Sequence, residues 1–134
     1  MQKTILLFLP LLFILGCKPS LVKQSFSSAD SLVIHFKNEQ QGVVTKSVQT
    51  TDTKAINRVI EFIDGKTADH LQCNYDGKMF FFSEGMQIQE VDFNMTEKDC
   101  IQFSLLVNGK LISTKMNSEA IDFFNAQEKG LLFY

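Results

Sequence analysis

Apolar and polar residues alternate over residues 31–37, where Leu32, Ile34 and Phe36 interleave with Val33, His35 and Lys37. A period of two predicts a strand with one strongly apolar face. The polar stretch 38–42 reads as a turn into a second strand over 43–50, paired with the first as a hairpin. The period then changes. Thr51-Asp52-Thr53 supplies side-chain oxygens suited to a helix start, and Ile56, Val59, Ile60 and Ile63 follow at helical spacing. Lys54, Asn57, Arg58 and Glu61 take the other side, and Gly65 marks the stop. A helix divided in this way lays its isoleucines on a sheet.

From residue 68 onward turn signals recur at Asp76-Gly77, Glu84-Gly85 and Asn108-Gly109. They predict an antiparallel meander with strands over 70–75, 78–83, 87–94, 100–107 and 110–116, and a polar loop over 94–99. Folding the chain across Asn108-Gly109 gathers Ile101, Phe103, Leu105, Val107, Ile112 and Met116 on a core face. Gln102, Ser104, Ser113 and Lys115 fall on the wet side, with Leu106 and Leu111 near the turn. Folding it across Asp76-Gly77 groups Phe80 and Phe82 with Leu71, Cys73 and Tyr75, and turns Met79 and Phe81 to the other side. Ser118 caps a second helix over 119–129 whose stripe is Ala120, Phe123 and Phe124, with Gly130 at the stop and an apolar tail over 131–134. The expected architecture is α+β: a curved antiparallel sheet of about six or seven strands with two helices packed on one face.

The first seventeen residues, MQKTILLFLPLLFILGC, carry Lys3, then an apolar run closing on Ile14-Leu15-Gly16-Cys17. The run is about half of the roughly 20 residues that a membrane-spanning helix needs, so it reads as a secretory leader. This leader resembles those of bacterial lipoprotein precursors, which are cleaved before the cysteine and lipidated on its thiol. The resemblance implies lipidation at Cys17 and a membrane anchor. Lys18 stands where aspartate favours inner-membrane retention in enteric lipoproteins, which implies an outer-membrane location facing the periplasm. The organisation expected is a signal peptide over 1–16, a flexible tether over 17–30 and a single domain over 31–134. The mature pattern is similar to the short lipoproteins common in Bacteroidota and brings no active-site residues with it.

Charge narrows the field further. The leader holds one of the 13 basic residues and none of the 15 acidic ones, so the mature chain carries 12 against 15, a net −3. A nucleic-acid binder would show a basic face, and there is none. Arg58 is the only arginine, and no glycine-rich phosphate loop is present. With Cys17 assigned to lipid, Cys73 and Cys100 are an even pair in a compartment where disulfides persist, and a bridge between them is expected. The strand faces oppose it, since Cys73 falls with Phe80 while Cys100 falls with Gln102, unless a bulge turns Cys100 round.

Chemistry-bearing groups are few. His35 stands alone on its strand face and reads as a surface residue. His70 and Cys73 are three apart, which on a strand points them to opposite sides. Glu90 and Asp92 share a face at about 6.5 Å, a separation that glycosidase carboxylates also use. They back onto Val91 and Phe93, however, and the chain lacks tryptophan for stacking a sugar, so a solvated face is the simpler reading. The 94–99 loop lacks the regular oxygen spacing of a calcium site. No catalytic residue, metal or cofactor is assigned. Met79 and Phe81, apolar on the side away from the helices, belong either to a central strand partly covered by the tail over 131–134 or to an exposed patch, in which case they are the candidate partner-binding residues. The expected function is a membrane-anchored binding or accessory module for a protein partner in the envelope. The alternative is an inhibitor or immunity protein against a periplasmic or cell-wall-directed enzyme.

Overall fold

A computed structural model describes residues 16–38 and 40–131. Residues 1–15 of the signal peptide expected over 1–16, residue 39 and the tail end over 132–134 lie outside the described residues. Six strands, β1 (Ser31–Lys37), β2 (Val44–Thr50), β3 (Gly77–Ser83), β4 (Met86–Asn94), β5 (Gln102–Val107) and β6 (Lys110–Lys115), form one antiparallel sheet in the order β2-β1-β3-β4-β5-β6. Helices α1 (Leu21–Gln24), α2 (Thr53–Ile63) and α3 (Ser118–Glu128) cover one face of it. The fold is α+β, as the alternation of periods predicts.

Local chemistry sets the ends of these elements. The Asp52 carboxylate accepts the Ala55 N–H at 2.9 Å and starts α2. Asn117 caps α3, one residue ahead of the expected Ser118, by accepting the Ala120 N–H at 2.8 Å. Glu84-Gly85 and Asn108-Gly109 both take left-handed backbone, with φ of 51° and 78° in the first and 51° and 76° in the second. Those are the hairpin turns whose twist matches their strands. Between helices and sheet the core is aromatic: Phe124 stacks on Phe93 at 5.1 Å and meets Phe103 edge-on at 5.9 Å, while Phe62 of α2 meets Phe123 of α3.

The strand expected over 70–75 does not form. Residues 66–76 instead run as a strap that pairs with the outer edge of β6, where the Lys66 carbonyl accepts from Lys115 and Ala68 N–H donates to the Ser113 carbonyl. The strap then passes beneath β5 and β4 on the helix-free face to reach β3. Asp76-Gly77 is therefore no hairpin corner. The Asp76 carboxylate is buried and accepts from the Met95 and Thr96 N–H groups and the Thr96 hydroxyl. Gly77 opens β3 beneath the Phe93 ring, where an added Cβ would sit 2.2 Å from a ring carbon. Close packing, rather than a turn, requires this glycine.

Losing that hairpin reverses the faces of β3. With β1 and β4 as its neighbours, Phe81 sits opposite Leu32 and Met79 opposite both Ile34 and Val91, all facing the helices. Met79 and Phe81, expected as exposed partner-binding residues, are each 0 % exposed, and the Phe81 ring lies 4.6 Å from that of Phe26. Phe80 and Phe82 take the open side. The tether is also shorter than expected. Ser20 caps α1, Val22 and Phe26 enter the core, and Lys23 pairs with Glu61 of α2 at 3.2 Å, so the folded body begins about three residues after Cys17.

Candidate functional site

The helix-free face of the sheet gathers most of the remaining chemistry. Along β1, Val33 and His35 point to it, and along β3 Lys78, Phe80 and Phe82 do, because their neighbours Leu32, Ile34, Met79 and Phe81 point inward. Val33 is registered against Phe80, and the His35 ring meets the Phe80 ring edge-on at 5.2 Å. These side chains are partly exposed, and among the described residues neither helix nor strap lies over them. They make an aromatic patch at the centre of the sheet.

Ions flank the patch. Phe80 is opposite Glu90 and Lys78 opposite Asp92, so Lys78 lies between two carboxylates, hydrogen-bonded to Glu90 and 3.5 Å from Asp92. The Glu90 hydrogen bond, helped by the Asp92 charge, raises the Lys78 pKa above its ordinary value against the opposing effect of burial. Asp92 is also raised, because desolvation on the half-covered face outweighs attraction to Lys78. The expected solvated face is thus partly buried, and its two carboxylates are bridged by one lysine. Glycoside cleavage needs one carboxyl set apart as acid and the other as base or nucleophile, and a shared ammonium binds both.

Beneath the strap the same face is polar and closed. Cys73 on the strap and Cys100 ahead of β5 are bridged, with Cα atoms 5.9 Å apart. The conflict between strand faces disappears because Cys73 is on no strand. Gln102, Ser104 and Ser113 are buried here, with Ser104 and Ser113 hydroxyls at 3.2 Å and His70 Nδ1 at 3.4 Å from Ser113. A histidine beside a serine suggests a nucleophile, but Ser113 is only 4 % exposed and its carbonyl is tied to the strap. Glu97 lies with Cys73 and Cys100 inside 4.8 Å, yet both sulfurs are used in the bridge, which leaves one carboxylate as donor.

Two other places have shape without distinctive chemistry. A groove of about 420 Å³ between α1 and α2 is lined by Pro19, Phe26, Asn57 and Ile60, and its charges, Lys23 and Glu61, neutralise each other. Arg58 spans Phe62, Phe123 and Glu119 at the helix pair, a cation–π and ion-pair clamp that joins α2 to α3. Cys17 is exposed. Among the described residues no helix is long and apolar enough to cross a membrane. No known protein family, curated protein or solved structure matches the chain.

Of the expected site residues, Cys73 and Cys100 are brought together, Cys17 stands apart at the start of the described body, and Met79 and Phe81 are core. The partly open aromatics are Phe80 and Phe82. The signal for them lay in β4: Val91 and Phe93 face the core, and pairing β3 directly with β4 puts Met79 beside Val91.

Proposed function

We propose that the protein is a lipid-anchored module of the cell envelope that binds a protein partner through the aromatic patch of Val33, His35, Phe80 and Phe82. The observation that carries this reading is the patch itself. Apolar area is left open at the centre of a sheet whose polar neighbours are covered, and partly exposed aromatics rimmed by charges are the usual material of protein interfaces. Support for the anchor comes from the leader ending at Cys17 and from a disulfide that suits an exported chain. A folded body that starts about three residues later would hold the domain within about 10 Å of the membrane surface. The carboxylates bridged by Lys78 and the cysteines consumed in a bridge support binding over catalysis.

Two measurements test it. Fatty-acid labelling should be lost in Cys17→Ala and the domain should leave the membrane fraction; labelling that persists overturns the anchor. A partner cross-linked in intact envelopes should be lost with Phe80→Glu while the melting temperature holds. A partner retained by Phe80→Glu would move binding elsewhere. If the captured partner is a cell-wall-directed enzyme whose activity falls on binding, the module is an inhibitor.

A further inference from the structure

The two edges of the sheet are treated differently. On β6, residues 113–115 are covered by the strap through the Lys66 and Ala68 backbone bonds and the Thr67–Thr114 bridge. On β2 the outer edge has no hydrogen-bonded neighbour among the described residues, since β2 pairs with β1 alone. Beyond the bulge at Thr45, residues 46–50 of this proline-free edge strand run regularly and present a row of N–H and C=O groups, whose natural complement is another extended strand.

We infer that β2 pairs antiparallel with β2 of a second copy of this chain, about a two-fold axis at Ser47. In that register Lys46 meets Val48 and Ser47 meets itself; Val44 and Thr45, the latter the extra residue of the bulge that β2 makes against β1, lie toward Thr50 and Gln49, and no like charges oppose. Lys46, the only charge on the strand, is turned to the helix side, its Nζ 3.0 Å from where a Cβ on Gly130 would lie, beside the negative end of α3. Ser47 and Gln49, opposite His35 and Val33 on the solvent side, and Thr45 at the bulge are exposed and uncharged, so nothing on that side opposes a second copy.

The symmetry also suits an anchored protein. A two-fold axis relating antiparallel edge strands stands normal to the sheet, so the helices of both copies share one side. Cys17 joins α1 on that side in each copy, so on the anchored reading both lipids enter one membrane and both aromatic patches face away from it. Confinement to a surface raises the effective concentration for a pairing as small as seven residues a side. The edge pairing itself does not depend on the anchor.

Cysteine cross-linking in the full chain tests the register. Under mild oxidation in envelopes, Ser47→Cys should give a disulfide-linked dimer. A mixture of Thr45→Cys and Gln49→Cys chains should cross-link as efficiently, and Gln49→Cys alone should not, its symmetry mate being displaced by four residues, about 13 Å. Adding Ser47→Glu to the Thr45/Gln49 pair should cut the yield about fivefold with the melting temperature unchanged. Purified Cys17→Ala chain carrying Ser47→Cys should still dimerise at high concentration. Dimers there without any in envelopes would overturn the anchored reading but leave the edge pairing intact. A Ser47→Cys chain that stays monomeric in both settings, that links to a different polypeptide, or that links no better than Gln49→Cys, overturns the proposal.

Discussion

On the helix-free side of the sheet, the β5–β6 half carries Gln102, Ser104 and Ser113 and is buried, whereas the β1–β3 half carries Val33, Phe80 and Phe82 and stays partly open. Hydrophobicity alone would assign them the other way round. The polar half tolerates burial because the strap brings partners with it: Ala68 for the Ser113 carbonyl, His70 for its hydroxyl, and Cys73 Sγ for the Gln102 amide at 4.0 Å. The strap also supplies Asp76, whose carboxylate takes up N–H groups that β4 leaves at its end. Covering is thus a matter of hydrogen-bond complementarity, while the aromatic half has apolar area with nothing of this kind to draw a strap over it. Among the described residues, the half left partly open is the one on which the proposed binding surface lies.

The largest effect should separate the two sides of β3. Phe81→Ala removes a fully buried ring from the contact with Phe26 and should cost about 3–5 kcal/mol in urea unfolding. Phe80→Ala, on the opposite face of the same strand, should cost about 1 kcal/mol or less. Equal losses would mean that the open half is as well covered as the core, and the patch would lose its standing as a binding surface.

The second effect concerns the staple. Replacing Cys73 and Cys100 together by serine frees a loop closed across 27 residues, for which chain entropy gives about 3–4 kcal/mol. Asp76 and its Thr96 and Met95 partners hold the far end of the strap independently. Amide exchange should therefore rise most over residues 66–75 and their partners 113–115, while β1–β3 lose protection only by the amount of the global destabilisation. Uniform loss of protection would mean that the strap is part of the whole domain's cooperative unit.

Much of this arrangement was legible in the residues. The isoleucine stripe of α2, the faces of β1, and the two left-handed turns at Glu84-Gly85 and Asn108-Gly109 all depend on neighbours close in sequence, and each formed as its pattern implies. The face of β3 depends on β1, which lies some forty residues earlier, and Asp76-Gly77 carries the same two letters as a hairpin turn. There a buried carboxylate and a ring-covered glycine use the residues for packing, and one misplaced turn is enough to reverse a strand of period two. That single step exchanged Met79 and Phe81 for Phe80 and Phe82. Similarly Val22 and Phe26, scattered among serines, offer no periodicity, since α1 has only four residues and is held by what it touches.

The smallest effect lies at the boundary between the two halves, in the Lys78 triad. The folded-state pKa of Asp92 is raised above the unfolded value, so the native state binds this proton more tightly than the unfolded chain does. Its contribution to stability is therefore greatest below the unfolded carboxylate value and is lost as pH rises through the raised folded value. Lys78 is raised as well, so its contribution is complete below about 10.4 and disappears only in strong alkali, as pH climbs through its folded value. Across neutral pH the two slopes are flat. Asp92→Asn removes the acid-side slope and replaces a partly desolvated charge by a neutral group of the same shape, while Lys78 keeps Glu90. Stability at pH 7 should then change by less than about 1 kcal/mol in either direction, and the difference from wild type should shift as pH falls into the carboxylate range, with wild type gaining on the variant. Urea unfolding at pH 3, 5 and 7 reads this directly. If the variant gains on wild type as pH falls, Asp92 is stabilised as a carboxylate, and attraction to Lys78 outweighs its burial.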